Sequence, residues 1–85
     1  MSTNSTTLVA RSLAEVPAGK CFRIKKVHGH GEIRQRLIDL GFIKNEVGTV
    51  IREALLKDPI EVELRGTHFS LRRSEARLIE VEVID

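Results

Sequence analysis

The chain has 85 residues, of which 41% are hydrophobic and 31% are charged, with 14 basic and 12 acidic side chains. This length supports one domain with one small core, and the apolar content excludes a chain that stays disordered. The formal net charge is +2, whereas dedicated nucleic-acid-binding proteins usually carry a larger excess of basic residues, clustered in one region. One cysteine excludes an internal disulfide and suits a reducing cytosol, and no apolar run approaches the ~20 residues of a membrane span.

The chain begins with a polar segment that predicts a flexible tail. Residues 1–7, MSTNSTT, lack the basic and apolar regions of a signal peptide, so the sequence predicts a tail followed by one domain at residues 8–85. Within that domain, Ser12 can cap a short helical turn that begins at Leu13. The Pro-Ala-Gly sequence at residues 17–19 then predicts a turn.

A strand, a loop and the longest helix are predicted next. Residues 20–27 form a strand pattern whose alternation shifts near residues 25–26, which predicts a bulge. The sequence HGHG at residues 28–31 predicts a flexible loop. Apolar residues spaced by four and then three positions mark one helical face after it: Ile33, Leu37 and Leu40. Gly41 follows the last leucine, where helices commonly end on a glycine with positive φ.

The second half of the chain predicts short strands separated by turns. A turn at residues 43–46, in which Asn45 can take a positive φ, precedes a β-rich run at residues 47–54, and a second turn follows at residues 57–59. Three further short segments predict strands: residues 60–64, 67–71 and 79–83. A helical turn is predicted around residues 73–78. About five short strands, one mid-chain helix and this helical turn before the last strand predict a mainly β fold, a small antiparallel β-barrel.

Three segments in a fixed order carry a family resemblance. They are PAGK at residues 17–20, RQRLIDLGF at residues 34–42 and DPIEVELRGTHFSLRRSEARLIEVE at residues 58–82. Together they resemble the ferrous iron transport protein A (FeoA) family, and the resemblance covers residues 8–83. The family commonly has a Pro-Gly pair where this chain has Lys44-Asn45. Because Asn tolerates positive φ, the turn is expected to survive.

This resemblance implies an SH3-like barrel that acts as a small cytosolic accessory of bacterial ferrous iron uptake. The implied partner is the membrane ferrous iron transporter (FeoB), which carries a GTPase domain and which the accessory would bind and modulate. The implied location is the cytoplasm, peripheral at the inner face of the plasma membrane through that partner, without insertion into the membrane. A weak homo-oligomer is compatible with this role. A related module occurs in iron-dependent repressors, but no helix-turn-helix fits before residue 20.

The sequence predicts neither an enzyme nor a nucleic-acid-binding protein. It contains no G-x-x-x-x-G-K-[ST] phosphate loop and no G-x-S-x-G elbow, and Cys21 has no histidine nearby in the sequence. No catalytic or cofactor-binding residue is therefore assigned. Single-stranded nucleic acids are bound by stacking bases on aromatic side chains. The three phenylalanines fall in apolar patterns and are predicted core residues: Phe22, Phe42 and Phe69.

A weak candidate metal site lies in the loop before the helix. His28, His30 and Glu32 supply two imidazoles and a carboxylate, a ligand set that ferrous iron accepts. His68 is a further histidine that could approach across the fold. The competing interpretation is a solvated loop beside two glycines, which binds a divalent ion only weakly and adventitiously. The alternative function that this loop supports is a metal-sensing regulatory module binding Fe(II) or another divalent ion.

A partner-binding surface is predicted on the helix and on a later arginine pair. Its candidate residues are Arg34, Arg36, Asp39, Phe42, Arg72 and Arg73. Glu32 precedes Arg36 by four residues, the favourable order for a surface ion pair on a helix. The competing interpretation is therefore that the helix arginines form only a solvated face and that Arg73 is a surface charge at a helix end. Docking on the transporter follows from the family resemblance alone.

Overall fold

The structure, a computed structural model, describes residues 11–54, 56 and 58–84. The prediction of a flexible tail at residues 1–7 therefore lies outside the described residues. Strands and helices of the described ranges follow this order: β1 (Arg11–Ser12), a 3-10 turn (Leu13–Glu15), β2 (Cys21–Val27), α1 (Gly31–Leu40), β3 (Val47–Glu53), β4 (Ile60–Leu64), β5 (Thr67–Leu71), α2 (Arg73–Ala76) and β6 (Ile79–Val83). The chain is therefore mainly β with short helices, as the sequence predicts.

The strands of the described ranges form one antiparallel sheet in the order β1-β6-β2-β3-β4-β5. β1 pairs with β6 and β5 pairs with β4, and within these ranges no ladder between β1 and β5 closes the sheet. The observed sheet thus differs from the predicted barrel in one detail of closure. It also has one strand more than predicted. β1 contributes only Arg11 and Ser12, which are too few for an alternating pattern to appear in the sequence.

The core lies on the inner face of this sheet, where the strand alternation places the apolar side chains. In β4, Ile60, Val62 and Leu64 are at most 2% exposed, while the two glutamates between them are partly exposed. β2 shows a register shift between Ile24 and Lys26, which confirms the predicted bulge. The 3-10 turn and both helices add buried side chains to the same core: Leu13, Ala14, Leu37 and Ala76.

Helix α1 ends in a Schellman motif. The Phe42 amide donates to the Leu37 carbonyl at 3.0 Å, the Gly41 amide donates to Ile38 at 2.9 Å, and Gly41 has φ of 113°. The predicted end of the helix is therefore confirmed. The predicted apolar face is wrong at its first residue, because Ile33 is 51% exposed. Ile38 packs against the core instead, since the second half of the helix is the part that lies over the core.

Two turns depend on residues with positive φ. Asn45 has φ of 77°, so it takes the positive φ that the family's Pro-Gly pair would otherwise supply. β4 and β5 are joined by a two-residue turn, since Leu64 lies opposite Thr67 in the ladder. Both central residues have positive φ, 52° for Arg65 and 80° for Gly66, as a type I′ hairpin turn requires. This turn fixes the register of β5.

Candidate protein-binding surface

The exposed side of α1 carries three of the predicted partner-binding residues: Arg34, Arg36 and Asp39. Arg34 is exposed, and its Nε donates to the Val27 carbonyl at 3.1 Å. Asp39 is exposed, and its Oδ1 accepts from Gln35 Nε2 at 2.8 Å, one helical turn away. These contacts hold the two charged groups at defined positions on the surface, with their remaining hydrogen-bonding capacity facing solvent.

Arg36 pairs with a residue far along the chain. Its Nη2 forms an ion pair with Glu75 Oε2 in α2, so the predicted local pair with Glu32 is replaced. The Glu75 side chain is 16% exposed and that of Arg36 is 51% exposed. The other oxygen of Glu75 accepts the Arg72 amide at 3.0 Å. The Glu75 carboxylate therefore links the Arg36 side chain of α1 to the backbone at the start of α2.

Arg73 is a structural residue. Its Nη2 lies 3.0 Å from Glu53 Oε2 and its Nη1 donates to the Ala14 carbonyl, while its amide donates to Asp58 Oδ1 at 2.9 Å. The Arg73 side chain is only 22% exposed. The Arg73 guanidinium therefore joins the 3-10 turn to the end of β3, and its predicted part in partner binding stays a prediction.

Phe42 is buried and does not lie on the exposed surface. Its side chain is 0% exposed and its ring meets Phe69 edge to face, with centroids 5.2 Å apart and an interplanar angle of 63°. The turn at Gly41 directs Phe42 inward rather than onto the helix face. The exposed residues that remain from the predicted set are defined here as the docking surface: Arg34, Arg36, Asp39 and Arg72.

A cleft adjoins this surface where β4 begins. It is open, has a volume of about 330 Å³, and is lined by Asp58, Pro59, Ser70 and Arg72. Leu56, in the β3–β4 loop (residues 54–59), is 91% exposed and has φ of 68°. Sequence reasoning did not single out Leu56. The available signal was a pair of leucines at residues 55–56, directly before a predicted turn.

The predicted metal ligands are not assembled into a cluster. His28 Nε2 lies 2.7 Å from Glu80 Oε1 in β6, so its partner is Glu80 rather than Glu32. His30 is exposed and precedes α1. His68 lies on β5 opposite Glu63. In the part of the chain that the structure describes, no three His, Cys, Asp or Glu side chains are grouped to hold a metal ion.

The remaining surface of the described residues has mixed charge. Four ion pairs interleave basic and acidic side chains: Arg23–Glu82, Lys25–Glu82, Arg52–Glu61 and Arg65–Glu46. Arg65 and Arg73 thus have carboxylate partners and do not form a basic patch with Arg72. A surface that follows a phosphate backbone needs a continuous excess of positive charge, which this arrangement does not provide.

Comparison with known proteins identifies the family. A model of the FeoA domain matches residues 11–83. The chain belongs to the FeoA family. The family is associated with ferrous iron transport. Among the described residues of this FeoA-family chain, neither helix has the length and apolar character to cross a membrane.

Two relatives and a solved structure show what this FeoA-family chain is similar to. It is 38% identical over 72 residues to an Fe(2+) transport protein A/Fe(2+) transporter FeoB fusion protein of Porphyromonas gingivalis, covering 85% of this chain and 8% of that protein. It is 37% identical over 73 residues to a putative Fe(2+) transport protein A of Campylobacter jejuni, covering 86% of this chain and 99% of that protein. The zinc complex of Stenotrophomonas maltophilia FeoA, described as a prokaryotic SH3 domain protein, matches with a TM-score of 0.77 and 31% identity over 86% of this chain and 91% of that one. The fold is therefore SH3-like.

Proposed function

We propose that this protein is a small, non-catalytic cytosolic accessory that binds the membrane ferrous iron transporter FeoB and modulates its GTPase domain. The observation that carries the proposal is the Porphyromonas gingivalis relative, in which a segment similar to this chain shares one polypeptide with the transporter. Fusion raises the effective concentration of one segment near the other, which is useful when the two segments bind each other. A separate chain would reach the same contact through a docking surface at the inner face of the membrane.

The docking surface has the properties of a surface that recognises a protein. Its charged groups are of both signs, and the contacts of Arg34 and Asp39 hold them in place before a partner arrives. Charge complementarity mainly sets the rate and specificity of association. Arg36 is half exposed while paired to the more buried Glu75, so its guanidinium can also donate to a second carboxylate from a partner. These features support transporter docking through α1 and the start of α2.

Arg36→Glu is expected to reduce ferrous iron uptake. In cells that lack this protein, the variant should restore less than about a tenth of the wild-type uptake rate, because it reverses a charge and places a carboxylate beside Glu75. Stability should fall by only about 1 kcal/mol, since exposed ion pairs contribute little. Arg23→Glu is the matched control: it breaks the 3.5 Å pair with Glu82 of β6, which is not part of the docking surface, and should restore uptake.

Exchanging the charges of Arg36 and Glu75 distinguishes a loss of partner contact from a loss of stability. Arg36→Glu with Glu75→Arg re-creates the ion pair in reverse, so it should recover stability and still fail to restore uptake. Full uptake with the exchanged pair would mean that Arg36 acts through the fold, and normal uptake with Arg36→Glu alone would remove α1 from the docking surface. Failure of the wild-type chain itself to support uptake would contradict the proposed function.

His28→Ala/His30→Ala is expected to restore uptake to near the wild-type rate. His28 is engaged with Glu80, and the structure groups no third ligand with the two histidines among its described residues. Loss of the His28–Glu80 pair should cost less than about 1 kcal/mol, because both side chains are partly exposed. A variant that folds, as judged by its circular dichroism spectrum, and yet fails in uptake would favour the metal-sensing alternative.

A further inference from the structure

β5 forms one edge of the sheet and exposes backbone hydrogen-bonding groups there. It pairs with β4, and among the described residues no strand pairs with its other side. The two-residue turn makes Leu64 and Thr67 a hydrogen-bonded pair, so every second residue of β5 bonds to β4. The residues between them, His68 and Ser70, therefore direct their amide and carbonyl groups away from β4. Both residues are exposed, and no described residue bonds to these groups.

This edge lacks features that commonly protect an edge strand from pairing with another chain. Such features include a proline, lysines on the strand and a bulge that twists the edge away. The sequence of β5, THFSL, contains no proline, lysine or carboxylate. Its register with β4 is continuous from Thr67 to Leu71, so β5 contains no bulge. The free edge is therefore a template for a further strand.

The inner side of β5 is packed on the core, so the edge is held in place before a partner arrives. Leu71 is 1% exposed, and the ring of Phe69 meets that of the buried Phe42 edge to face. A partner that adds to this strand does not have to order it, which lowers the entropic cost of association. The ligand that complements such an edge is an extended chain segment, bound through its own backbone amides and carbonyls.

A charged group at the end of β5 indicates which kind of segment fits. Ser70 and Arg72, two positions apart, line the open cleft together with Asp58 and Pro59. The cleft thus contains one carboxylate and one guanidinium. Asp58 Oδ1 accepts the Arg73 amide, whereas the Arg72 guanidinium has no ion-pair partner among the described residues. A strand that adds at Ser70 and continues past Arg72 can compensate this charge with a carboxylate.

A second copy of the chain does not offer that carboxylate. Two β5 edges that pair antiparallel through the free groups of His68 and Ser70 place Arg72 opposite a residue in the range 64–68 of the other copy. That range reads LRGTH, which contains no acidic side chain and adds a positive charge at Arg65. The charge therefore favours an acidic segment of a different protein.

We propose that an extended, acidic segment of a cytosolic domain of the ferrous iron transporter adds to β5 as a further strand and places a carboxylate on Arg72. The inference rests on the proposed function and names the contact through which the partner binds. Arg72 belongs to the docking surface, so the added strand joins that surface where α2 begins. The two contacts are separable, because one uses the backbone of β5 and the other uses a single side chain.

Ser70→Pro tests the strand contact. Proline lacks the amide hydrogen that Ser70 directs away from β4, and edge strands tolerate proline where that amide faces solvent. The variant should bind the transporter at least about tenfold more weakly, because a carbonyl of the added strand loses its donor. If Ser70→Pro melts far below wild type, His68→Pro removes the other outward amide and replaces it in the test.

The matched control is Lys44→Pro, a proline in an exposed turn outside the docking surface. The Glu46 amide donates to the Ile43 carbonyl at 3.1 Å, and Asn45 has φ of 77°, so Lys44 occupies the second position of a turn that favours proline there. The FeoA family commonly has proline at this position. Lys44→Pro should therefore keep the wild-type melting temperature and affinity.

Amide hydrogen exchange detects the added strand directly. In the free chain the amides of His68 and Ser70 should exchange rapidly, while those of Phe69 and Leu71, which bond to β4, should be protected. The full-length transporter of the same organism, in lipid nanodiscs, should protect His68 and Ser70 as well. The same preparation serves for the titrations of the wild-type chain and its variants.

The outcomes distinguish the inference from the proposed function. Absence of binding by the wild-type chain would remove both. Binding that Ser70→Pro reproduces within about twofold, or that leaves the amides of His68 and Ser70 unprotected, would overturn the inference alone. Protection that rises with the concentration of the chain without the transporter would assign the edge to a second copy and would also overturn it. Weaker binding in Ser70→Pro and in Arg72→Glu, with wild-type affinity in Lys44→Pro, would establish it.

Discussion

Phe42→Ala is expected to lower the free energy of unfolding by about 3–5 kcal/mol. Phe42 is 0% exposed, its ring meets that of Phe69 at 5.2 Å, and its amide completes the end of α1. Truncation removes the ring from the core and leaves a cavity beside Phe69. A domain of this size has a total stability of roughly 4–13 kcal/mol, so the variant should lose a large part of it. Urea denaturation should show a lower midpoint with an unchanged slope.

Two further variants show whether burial is the cause. Phe42→Leu keeps most of the volume and should cost less than about half as much, because cores tolerate hydrophobic replacements of similar size. Phe69→Ala should also cost less than Phe42→Ala, since Phe69 is only partly buried. A Phe42→Ala protein that keeps its stability and loses only transporter binding would restore Phe42 to the docking surface.

The sequence could not decide between these roles for Phe42. Its position directly after a helix and its apolar side chain fit both a core residue and an exposed contact at the helix end. The direction is set by Gly41, whose φ of 113° reverses the chain so that the amide of the next residue returns to Leu37. A glycine in the sequence predicts that such a reversal occurs, but not which side of the helix the following residue reaches.

Local patterns were sufficient for much of the fold. The alternation in β4, the bulge in β2 and the positive φ of Asn45 each depend on a few neighbouring residues, and each was predictable. The FeoA family and its SH3-like fold were also evident from the order of the segments in the sequence. The sequence did not indicate whether the sheet closes, because closure depends on the pairing of β1, which is only two residues long.

The candidate site depends on contacts between distant residues, which spacing does not encode. Glu32 and Arg36 have the spacing of a helical ion pair, yet Arg36 pairs with Glu75, which lies 39 positions later in α2. That pair links α1 to the start of α2, where Arg72 lies. Leu56 was missed for a different reason. A hydropathy pattern assigns leucine to a core, and a leucine that is 91% exposed at positive φ departs from both its burial and its backbone preference.

The second large effect on stability is expected at Arg73, the first residue of α2. Arg73→Ala is expected to lower the free energy of unfolding by about 2–3 kcal/mol, since it leaves the Ala14 carbonyl and the partly buried Glu53 carboxylate without their donor. Arg73→Lys keeps the charge but cannot bind both acceptors with a planar fork, so about half of the loss should remain. Thermal melting and urea denaturation measure both variants.

Arg72→Ala is the matched control, because it changes the adjacent residue and removes a guanidinium that pairs with no described carboxylate. Its unfolding free energy should stay within about 0.5 kcal/mol of wild type, while its affinity for the transporter falls. The sequence placed both arginines on one docking surface, whereas the structure assigns stability to Arg73 and leaves Arg72 exposed beside the cleft. Equal stability of the two alanine variants would contradict that division. If Arg73→Ala lost transporter binding at a wild-type melting temperature while Arg72→Ala kept its binding, the two roles would be reversed.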